Sequence, residues 1–271
     1  MPELPEVEEV RRSLEPHLLG VVIIGVKLLR PDFLTPPTAP LKKLIGHAFT
    51  RTLRHGKKLF LIADDGQTLL IHLGMSGRVD CVPSASEIPK HTHIVLRLGS
   101  GTDVRLRDPR RFGGAWYYPT LGAAEARELA ALGPDALALT VEHLAHWRKA
   151  KGRLKHRLLS QKDVAGLGNI YVDEALWLAQ LHPLQRVDRI PPDRLAALVA
   201  AIRTVLENSI RSGGTTLRDY RNVADQPGHF ARQLQAYGRA HLPCFRCGAA
   251  LKTAQIAGRT TVFCATCQRR R

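Results

Sequence analysis

Apolar residues near the start of the chain recur with the period of an α-helix. Val7, Val10, Leu14 and Leu18 lie three or four residues apart, which places them on one helical face. Pro5 stands where a first helical turn tolerates proline, and its acidic neighbours suit the positive end of the helix dipole. The pattern predicts an amphipathic helix over residues 3–18.

Short β-rich runs follow, between residues 21 and 118. They are rich in β-branched and aromatic residues, and Gly, Pro and Asp separate them, which is typical of strands joined by turns. The clearest runs are residues 21–29, 59–63, 68–73, 93–98 and 115–118. We predict a β-sandwich or a barrel-like unit for this half of the chain.

Helical periodicity returns after Leu132-Gly133-Pro134. The clearest helical segments are residues 154–160, 170–179 and 192–209, where apolar residues again recur at helical spacing. The end of the chain has its own cysteine-rich character. The sequence therefore predicts an α+β protein with domains at 1–132, 133–235 and 236–271.

The chain is strongly basic. Lys and Arg total 40 against 24 Asp and Glu, which gives a formal net charge of +16. Such a surface indicates a polyanionic partner, because Lys and Arg side chains neutralise nucleic-acid phosphates and release condensed counterions. A charge that serves only solubility is the alternative.

The first nine residues carry four glutamates and no basic residue, unlike a secretory signal. No apolar run approaches the length of a membrane span. We therefore expect no membrane association and a cytoplasmic protein, held near the nucleoid by binding DNA.

Four of the five cysteines form two CxxC pairs near the end of the chain. They are Cys244, Cys247, Cys264 and Cys267. Each pair lets two thiolates reach one ion from a tight turn, and the spacing matches four-thiolate zinc ribbons. We predict one structural Zn²⁺, since a site closed by four ligands leaves no position for water. The intervening hairpin would present Lys252 and Arg259 to DNA, or the ribbon would only tie down the C-terminal end.

Other metal or thiol chemistry is not indicated. His91 and His93 stand two residues apart without a further ligand nearby, so we interpret them as ordinary strand residues. Cys81 stands alone in the first half and is most simply a structural thiol.

Glycines punctuate the turn before the second clear helical segment. Gly166 and Gly168 precede Asn169, which we expect to act as the N-cap of a helix. Free backbone amides at such a start form an anion site for a DNA phosphate. A helical hairpin without function is the alternative, and a dinucleotide site is rejected because the third glycine and the preceding strand are missing.

Several motifs together resemble the formamidopyrimidine-DNA glycosylases, within the wider group that also holds endonuclease VIII. They are MPELPEVE at 1–8, HLGMSG at 72–77, DPRRFG at 108–113, GLGNIY at 166–171, GGTT at 213–216 and the terminal zinc ribbon. The resemblance runs over essentially the whole chain. It implies an N-terminal helix plus β-sandwich domain, then a helix-two-turn-helix domain with a zinc-ribbon finger, with DNA crossing the cleft between them.

The resemblance implies a bifunctional glycosylase and AP lyase of base-excision repair. It would excise oxidised purines, namely 8-oxoguanine and formamidopyrimidines, and cleave the strand by β,δ-elimination. The implied nucleophile is Pro2, once Met1 is removed. An α-amine has an ordinary pKa of about 8, so a useful fraction is neutral. As a secondary amine, Pro2 gives a Schiff-base iminium that cannot lose its charge by deprotonation at nitrogen.

Acidic residues beside Pro2 take roles from the same resemblance. Glu3 would protonate the sugar ring oxygen and transfer protons during elimination. Glu6 would support the damaged-base pocket. Glu8 and Glu9 are expected to be surface charges that favour the helix dipole.

Basic residues take the phosphate-binding and proton-donor roles. Lys57, counted among the catalytic residues with Pro2 and Glu3, would hold the phosphates that flank the lesion and would share proton donation with Glu3 and Arg259. His72, Asn169 and Arg259 are its implied partners in phosphate binding. Lys43 and Lys58 are expected to be solvated.

Flipping a base out of a duplex requires side chains that fill the gap. Met75, Arg110 and Phe112 match the family's gap-filling residues, with Arg110 facing the orphaned cytosine. Residues 215–227 resemble a loop that closes over an everted 8-oxoguanine. Lys155 resembles a lysine near the damaged base, and we place it among the DNA contacts.

Two other functions fit parts of the sequence. An endonuclease VIII-like glycosylase for oxidised pyrimidines is disfavoured by the Pro-Glu-Leu-Pro start. A non-catalytic zinc-ribbon DNA-binding protein is disfavoured by the intact Pro2, Glu3 and Lys57. The expected partner is double-stranded DNA that contains oxidised purines or abasic sites, and a monomer suffices to bind one lesion.

Overall fold

A computed structural model of the chain describes residues 2–216 and 220–270. It divides into two compact units. Unit 1 comprises residues 1–130 and 212–229, and unit 2 comprises residues 131–211 and 230–271. The return of 212–229 to unit 1 was not anticipated, and the three-domain division stays a prediction. Within the described residues, no helix has both the length and the apolar character to cross a membrane.

Five α-helices and eleven strands are described. The helices are α1 (Leu4–Leu18), α2 (Leu121–Glu128), α3 (Leu154–Leu159), α4 (Asn169–Leu178) and α5 (Pro192–Arg211). The first six strands are β1 (Ile23–Leu28), β2 (Leu34–Thr35), β3 (Phe49–His55), β4 (Lys58–Ala63), β5 (Thr68–His72) and β6 (Arg78–Pro83). The others are β7 (Thr92–Leu98), β8 (Thr102–Arg107), β9 (Gly114–Tyr118), β10 (Lys252–Ile256) and β11 (Arg259–Phe263).

Helix α1 forms as the sequence predicts. Val7, Val10, Leu14 and Leu18 are fully or almost fully buried, and they share a core with residues of both large sheets. Burying such side chains contributes on the order of 1.5–3 kcal/mol each relative to leaving them exposed. The apolar face therefore fixes α1 against the sandwich.

Two sheets make the predicted β-sandwich of unit 1. One has the order β2-β9-β5-β4-β3 and the other the order β1-β7-β8-β6. Alternate residues of β4 face opposite sides, as the pleat requires. Leu59 and Leu61 enter the core shared with α1, whereas Phe60 and Ile62 pack with Ala124 of α2. The continuous apolar run of β4 follows from this double burial.

Several elements were missed from the sequence. Strands β3, β6 and β8 carry many charged residues, so their apolar signal is weak. Helix α2 has only eight residues, too few for a clear period. Its N-cap, Thr120, accepts a hydrogen bond from the Ala123 amide at 3.2 Å, which satisfies an otherwise free helical donor.

Unit 2 contains α3, α4, α5 and the β10–β11 hairpin. The three helical segments predicted in this region are confirmed. Helix α4 contacts both α5 and β11, and its residues from Ile170 to Trp177 are all buried. A helix that is covered on several sides shows little amphipathic pattern.

Two charges expected at the surface are buried or paired instead. Glu8 is 6 % exposed and binds Arg11, Arg12 and Arg54 at 2.7–3.1 Å. Burial alone would raise the pKa of Glu8, but these guanidinium partners outweigh it and lower the pKa to about 2. Lys58 forms an ion pair with Glu128. Arg11 and Arg12 lie within one helical turn of Glu8, but Arg54 and the Glu128 partner of Lys58 are distant in sequence and could not be identified from it.

We expect Glu8→Gln to destabilise the protein. The lowered pKa means that the Glu8 carboxylate stabilises the fold fully above its ordinary pKa of 4.5 and loses this effect as the pH falls towards 2. At pH 7 the free energy of unfolding should fall by on the order of 1–3 kcal/mol, allowing for solvent screening. Urea unfolding across this pH range measures it, with Glu9→Gln as the control. An unchanged pH slope would contradict the assignment.

Candidate functional site

The chain enters α1 through a reciprocal pair of hydrogen bonds. Glu3 is the N-cap of α1, and its side chain accepts a hydrogen bond from the Glu6 amide. The Glu6 Oε2 atom accepts the Glu3 amide in return at 2.8 Å. Pro2 and both glutamates are buried. This capping box fixes the start of α1, beginning with the Glu3 amide that follows Pro2.

Glu6 also binds the segment that begins at Ser212. Its second oxygen, Oε1, accepts the Thr215 amide at 2.7 Å. Gly214 has a positive φ of +84°, and a Cβ there would lie 3.2 Å from the Glu6 Oε1 atom. The Tyr220 hydroxyl donates to the Glu6 carbonyl at 3.4 Å. One buried carboxylate thus joins the start of α1 to the base of the expected closing loop.

The expected closing loop, residues 215–227, lies within the segment 212–229, and this segment is fastened at its base. The His229 amide donates to the Ser212 carbonyl at 2.9 Å, and the Gly228 amide donates to Thr216 Oγ1 at 2.8 Å. Further along, Asp225 pairs with Arg78 of β6 at 2.8 Å. Residues 217–219 of this loop lie outside the described part of the chain, as does Met1.

Contacts along β3 show which way α1 points. Glu15 accepts a hydrogen bond from Thr52 at 2.5 Å, and Glu8, two turns earlier, binds Arg54 at 3.1 Å. Helix α1 therefore runs antiparallel to β3, and its N-terminal end lies towards the β3–β4 turn. That turn consists of Gly56 and Lys57.

Strand register brings the next site residues to the same edge of the sheet. Lys58, directly after Lys57, pairs with His72, and His72 pairs on its other side with Gly114. Residues 73–77 and 108–113 extend from this edge as loops. Pro2, Glu3, Lys57 and His72 are therefore held around one edge of unit 1.

His72 is a neutral hydrogen-bond donor in this setting. Its Nδ1 atom accepts the Gly74 amide at 3.2 Å, so the proton resides on Nε2. Burial and the nearby charges of Lys57 and Lys58 lower the pKa of His72 to about 4. At neutral pH the Nε2–H group can donate to a phosphate oxygen without adding positive charge.

Met75, Arg110 and Phe112 lie on two adjacent loops of unit 1. Met75 is half-buried, whereas Arg110 and Phe112 are exposed, with 55 % of Phe112 accessible. The Arg110 guanidinium lies 4.8 Å from the centroid of the Phe112 ring, within cation–π range. An exposed aromatic ring held beside a guanidinium is a suitable wedge between bases.

Sequence reasoning gave no role to the residue that joins these loops. Asp108 is fully buried, and its carboxylate binds Ser76 and the backbone amides of Arg110 and Gly113. The only available signal was its place at the head of the DPRRFG motif.

Asn169 does not cap α4. Gly168 occupies the N-cap position and Asn169 is the first helical residue, because the β-region backbone required of a cap falls one residue earlier. The Asn169 Nδ2 atom donates to the Thr260 carbonyl at 2.9 Å. This bond places Asn169 beside the β10–β11 turn, next to the exposed Arg259. The two residues form the candidate phosphate contact of unit 2.

Lys155 is fully buried and pairs with Asp173 of α4 at 2.6 Å. The other Asp173 oxygen accepts the Val262 amide of β11 at 3.0 Å. Burial raises the pKa of Asp173, and the Lys155 charge opposes this rise. In this conformation Lys155 supports the hairpin from within, so the direct DNA contact expected of it stays a prediction.

The four cysteines of the CxxC pairs converge as predicted. Their Sγ atoms all lie within 4.8 Å of one another, and those of Cys247 and Cys264 are 3.5 Å apart. A tetrahedral zinc with bonds of about 2.3 Å needs sulfur atoms about 3.8 Å apart, so the cluster fits one structural Zn²⁺. Trp177 of α4 donates its indole N–H to Cys244 at 3.4 Å, and the hairpin between the pairs is confirmed.

His93 and Cys81, interpreted from the sequence as structural residues, lie in packed or hydrogen-bonded positions. His93 is buried, donates from Nε2 to the Asp108 carbonyl at 2.8 Å, and stacks near Phe33. Cys81 is half-buried, and burial raises the pKa of its thiol to about 11. Neither group is prepared for chemistry.

Family models match three parts of the chain. The "Formamidopyrimidine-DNA glycosylase N-terminal domain" matches residues 1–115, and the "Formamidopyrimidine-DNA glycosylase H2TH domain" matches residues 132–221. The "Zinc finger found in FPG and IleRS" matches residues 242–270.

Curated relatives match from end to end. A formamidopyrimidine-DNA glycosylase of Shewanella loihica is 40% identical over 273 residues, covering 100% of both chains. One of Xanthomonas oryzae pv. oryzae is 42% identical over 275 residues, covering 99% of this chain and 100% of the relative.

Solved structures agree with the fold. A Lactococcus lactis FPG mutant in complex with Fapy-dG containing DNA has a TM-score of 0.92 and 33% identity, covering 99% of this chain and 100% of that one. The MutM (FPG) protein of Thermus thermophilus has a TM-score of 0.88 and 34% identity, with full coverage of both chains. The Lactococcus lactis Fpg has also been solved with abasic site containing DNA.

We expect loss of zinc to weaken DNA binding. Either strong chelation or Cys244→Ser should disorder the hairpin that carries Arg259, and affinity for a duplex should fall roughly tenfold as phosphate contacts are lost. Fluorescence anisotropy measures the affinity, and zinc content is assayed in parallel. Cys81→Ser, which leaves the four-cysteine cluster intact, is the control. Unweakened binding after confirmed zinc loss would show that the hairpin is dispensable.

Proposed function

Because the chain belongs to the formamidopyrimidine-DNA glycosylase family, we propose that Pro2, Glu3 and Lys57 carry out its chemistry. The protein is a bifunctional DNA glycosylase and AP lyase of base-excision repair, and it acts on oxidised purines in double-stranded DNA. The observation that supports this assignment of residues is the capping box, which holds Glu3 in place directly after the buried Pro2.

Pro2 is the nucleophile once Met1 has been removed. Its neutral nitrogen attacks C1′ of the lesion, and the glycosidic electron pair leaves with the base, which takes up a proton. Glu3 protonates the sugar ring oxygen as the ring opens to the iminium. Loss of a proton from C2′ then expels the 3′ phosphate, and a second elimination expels the 5′ phosphate.

Glu6 links the nucleophile's segment to the closing loop rather than reacting itself. Both of its carboxylate oxygens are occupied by backbone amides, those of Glu3 and Thr215. If a damaged base draws the loop inwards, the movement of Thr215 would therefore reach Glu3 through the Glu6 carboxylate. This geometry supports a role for Glu6 in shaping the damaged-base pocket.

Backbone phosphates are bound from both units. In unit 1 Lys57 supplies charge and a proton donor, and His72 supplies the neutral Nε2–H donor. In unit 2 Asn169 and Arg259 supply the contact at the hairpin, where Arg259 also serves as a proton donor. Lys155 supports this contact indirectly, because it pairs with Asp173, which binds the hairpin at Val262.

Met75, Arg110 and Phe112 fill the gap left by the everted base. The exposure of Phe112 and its contact with the Arg110 guanidinium support insertion into the duplex. Arg110 then donates hydrogen bonds to the orphaned cytosine, whose edge accepts from a guanidinium.

The protein works where genomic DNA is exposed, and we propose a cytoplasmic location for it. A thiolate zinc site is compatible with a reducing compartment, since metal-bound cysteines need not be oxidised. One copy of the chain carries every residue proposed for the reaction, so a monomer suffices for activity.

Borohydride trapping tests the nucleophile. Purified protein with Met1 removed is mixed with a duplex that contains one 8-oxoguanine opposite cytosine, and the cross-linked peptide is mapped. We expect a cross-link at Pro2 and a nicked strand. Pro2→Gly, which keeps a terminal amine but makes it primary, is the matched variant.

A thymine-glycol duplex tests the alternatives in parallel. Preferential trapping on thymine glycol would favour an endonuclease VIII-like specificity. If neither duplex is trapped or nicked while binding persists, the non-catalytic DNA-binding alternative is the better account.

Arg110→Ala should relax the choice of opposite base. The ratio of excision rates opposite cytosine and opposite adenine should fall by roughly 10-fold, since one good guanidinium–base contact is worth about 1–3 kcal/mol. Single-turnover rates on the two duplexes measure the ratio. Arg111→Ala is the control, because Arg111 is exposed on the same loop and pairs with Asp32. If the ratio is unchanged in the Arg110 variant, Arg110 does not recognise the orphaned cytosine.

A further inference from the structure

A buried carboxylate joins the two loops that carry Met75, Arg110 and Phe112. Asp108 Oδ1 accepts the Ser76 hydroxyl at 2.6 Å and the Arg110 amide at 3.2 Å. Its Oδ2 atom accepts the Gly113 amide at 2.7 Å. A single side chain therefore holds one residue of the Met75 loop and two residues of the loop that carries Arg110 and Phe112.

Ser76 completes a closed set of hydrogen bonds. Its Oγ atom donates to Asp108 and accepts the Arg110 amide at 3.3 Å. The Ser76 hydroxyl thus touches both the carboxylate and the backbone of the opposite loop. Ser76 and Asp108 therefore both connect the two loops by hydrogen bonds.

The backbones of the two loops are in direct contact. A Cβ on Gly74 would lie 2.3 Å from the Gly113 nitrogen, and one on Gly113 would lie 2.5 Å from the His72 carbonyl oxygen. Arg111 has a positive φ of 54°, so the second loop is tightly turned between Arg110 and Phe112. Movement of one loop must therefore displace the other.

Asp108 is itself fixed to the four-stranded sheet. Its amide donates to the His91 carbonyl at 3.0 Å, and its carbonyl accepts His93 Nε2 at 2.8 Å. The carboxylate is fully buried. Burial of a charge is costly unless hydrogen bonds compensate it, so the three donors define one conformation of the loops.

We propose that Asp108 and Ser76 are positioning residues that keep Met75, Arg110 and Phe112 in register for simultaneous insertion into the duplex. This inference rests on the gap-filling role proposed above. Neither residue touches the reacting atoms. They act by setting the spacing between Met75 on one loop and the Arg110–Phe112 pair on the other.

The chain offers a matched pair of serines for the test. Ser84 also donates to a fully buried carboxylate, that of Asp103, at the same distance of 2.6 Å. Both serines are half-buried, and Asp103 and Asp108 lie at opposite ends of β8. Each of Ser76→Ala and Ser84→Ala removes a 2.6 Å hydrogen bond to a buried aspartate, but only Ser76 lies between the two loops, where it also accepts the Arg110 amide.

Three single-turnover measurements compare the variants with the unaltered enzyme. They are excision of 8-oxoguanine opposite cytosine, excision opposite adenine, and nicking of a duplex with a preformed abasic site. Ser76→Ala should slow excision opposite cytosine roughly 10-fold relative to Ser84→Ala, as expected for one lost hydrogen bond to a charged group. The cytosine-to-adenine ratio should fall, and abasic-site nicking should change less because no base has to be unstacked.

The outcomes separate this inference from the proposed function. If Ser76→Ala matches Ser84→Ala in all three measurements, or if all three rates fall together with the melting temperature, the positioning role is refuted. If the unaltered enzyme neither traps nor excises, the proposed function has failed instead. Asp108→Asn, compared with Asp103→Asn, provides a second pair and should reproduce the loss of base discrimination.

Discussion

The hydrogen bonds between Glu3 and Glu6 are the contact on which the rest of unit 1 depends for its function. Pro2, the proposed nucleophile, would be the terminal residue once Met1 is removed, and chain ends usually fray. The capping box limits this freedom by holding the Glu3 amide, directly after Pro2, and the Glu6 amide one turn later. The apolar face of α1 then fixes this terminus against both sheets, so the helix delivers Pro2 to a defined place.

Buried carboxylates that accept backbone amides recur throughout this basic protein. Glu6 binds Thr215, Asp108 binds Gly113, and Asp173 binds Val262. Glu174 binds the amides of three successive residues, 235 to 237, at 2.8–2.9 Å. Each bond reaches a segment without regular structure or the edge of a hairpin. A charged acceptor makes a shorter and stronger hydrogen bond than a neutral one. These buried acids therefore fix the positions of segments that also carry exposed Lys and Arg side chains.

Helix α4 organises unit 2 by the same means. Asn169 at its start binds Thr260 of the hairpin, Asp173 binds Val262, and Trp177 near its end donates to a zinc ligand. The hairpin that carries Arg259 is thus held by one helix along its length and by zinc at its base. The metal alone would fix only the two cysteine turns. Lys155 belongs to this arrangement, because its charge compensates Asp173 inside the unit.

The sequence by itself determined the helix α1, the main buried strands, the helices of unit 2 and the zinc ligands. These features depend on local periodicity or on short fixed spacings, which are read directly along the chain. Tertiary structure alone decided that residues 212–229 return to unit 1, that Glu8 pairs with Arg54 and Lys58 with Glu128, and that Gly168 rather than Asn169 caps α4. It also decided that Asp108 joins two loops, since Ser76 lies 32 residues away in the chain. Pairings across such separations leave no periodic trace, because they are fixed by strand register and by the close packing of the folded units.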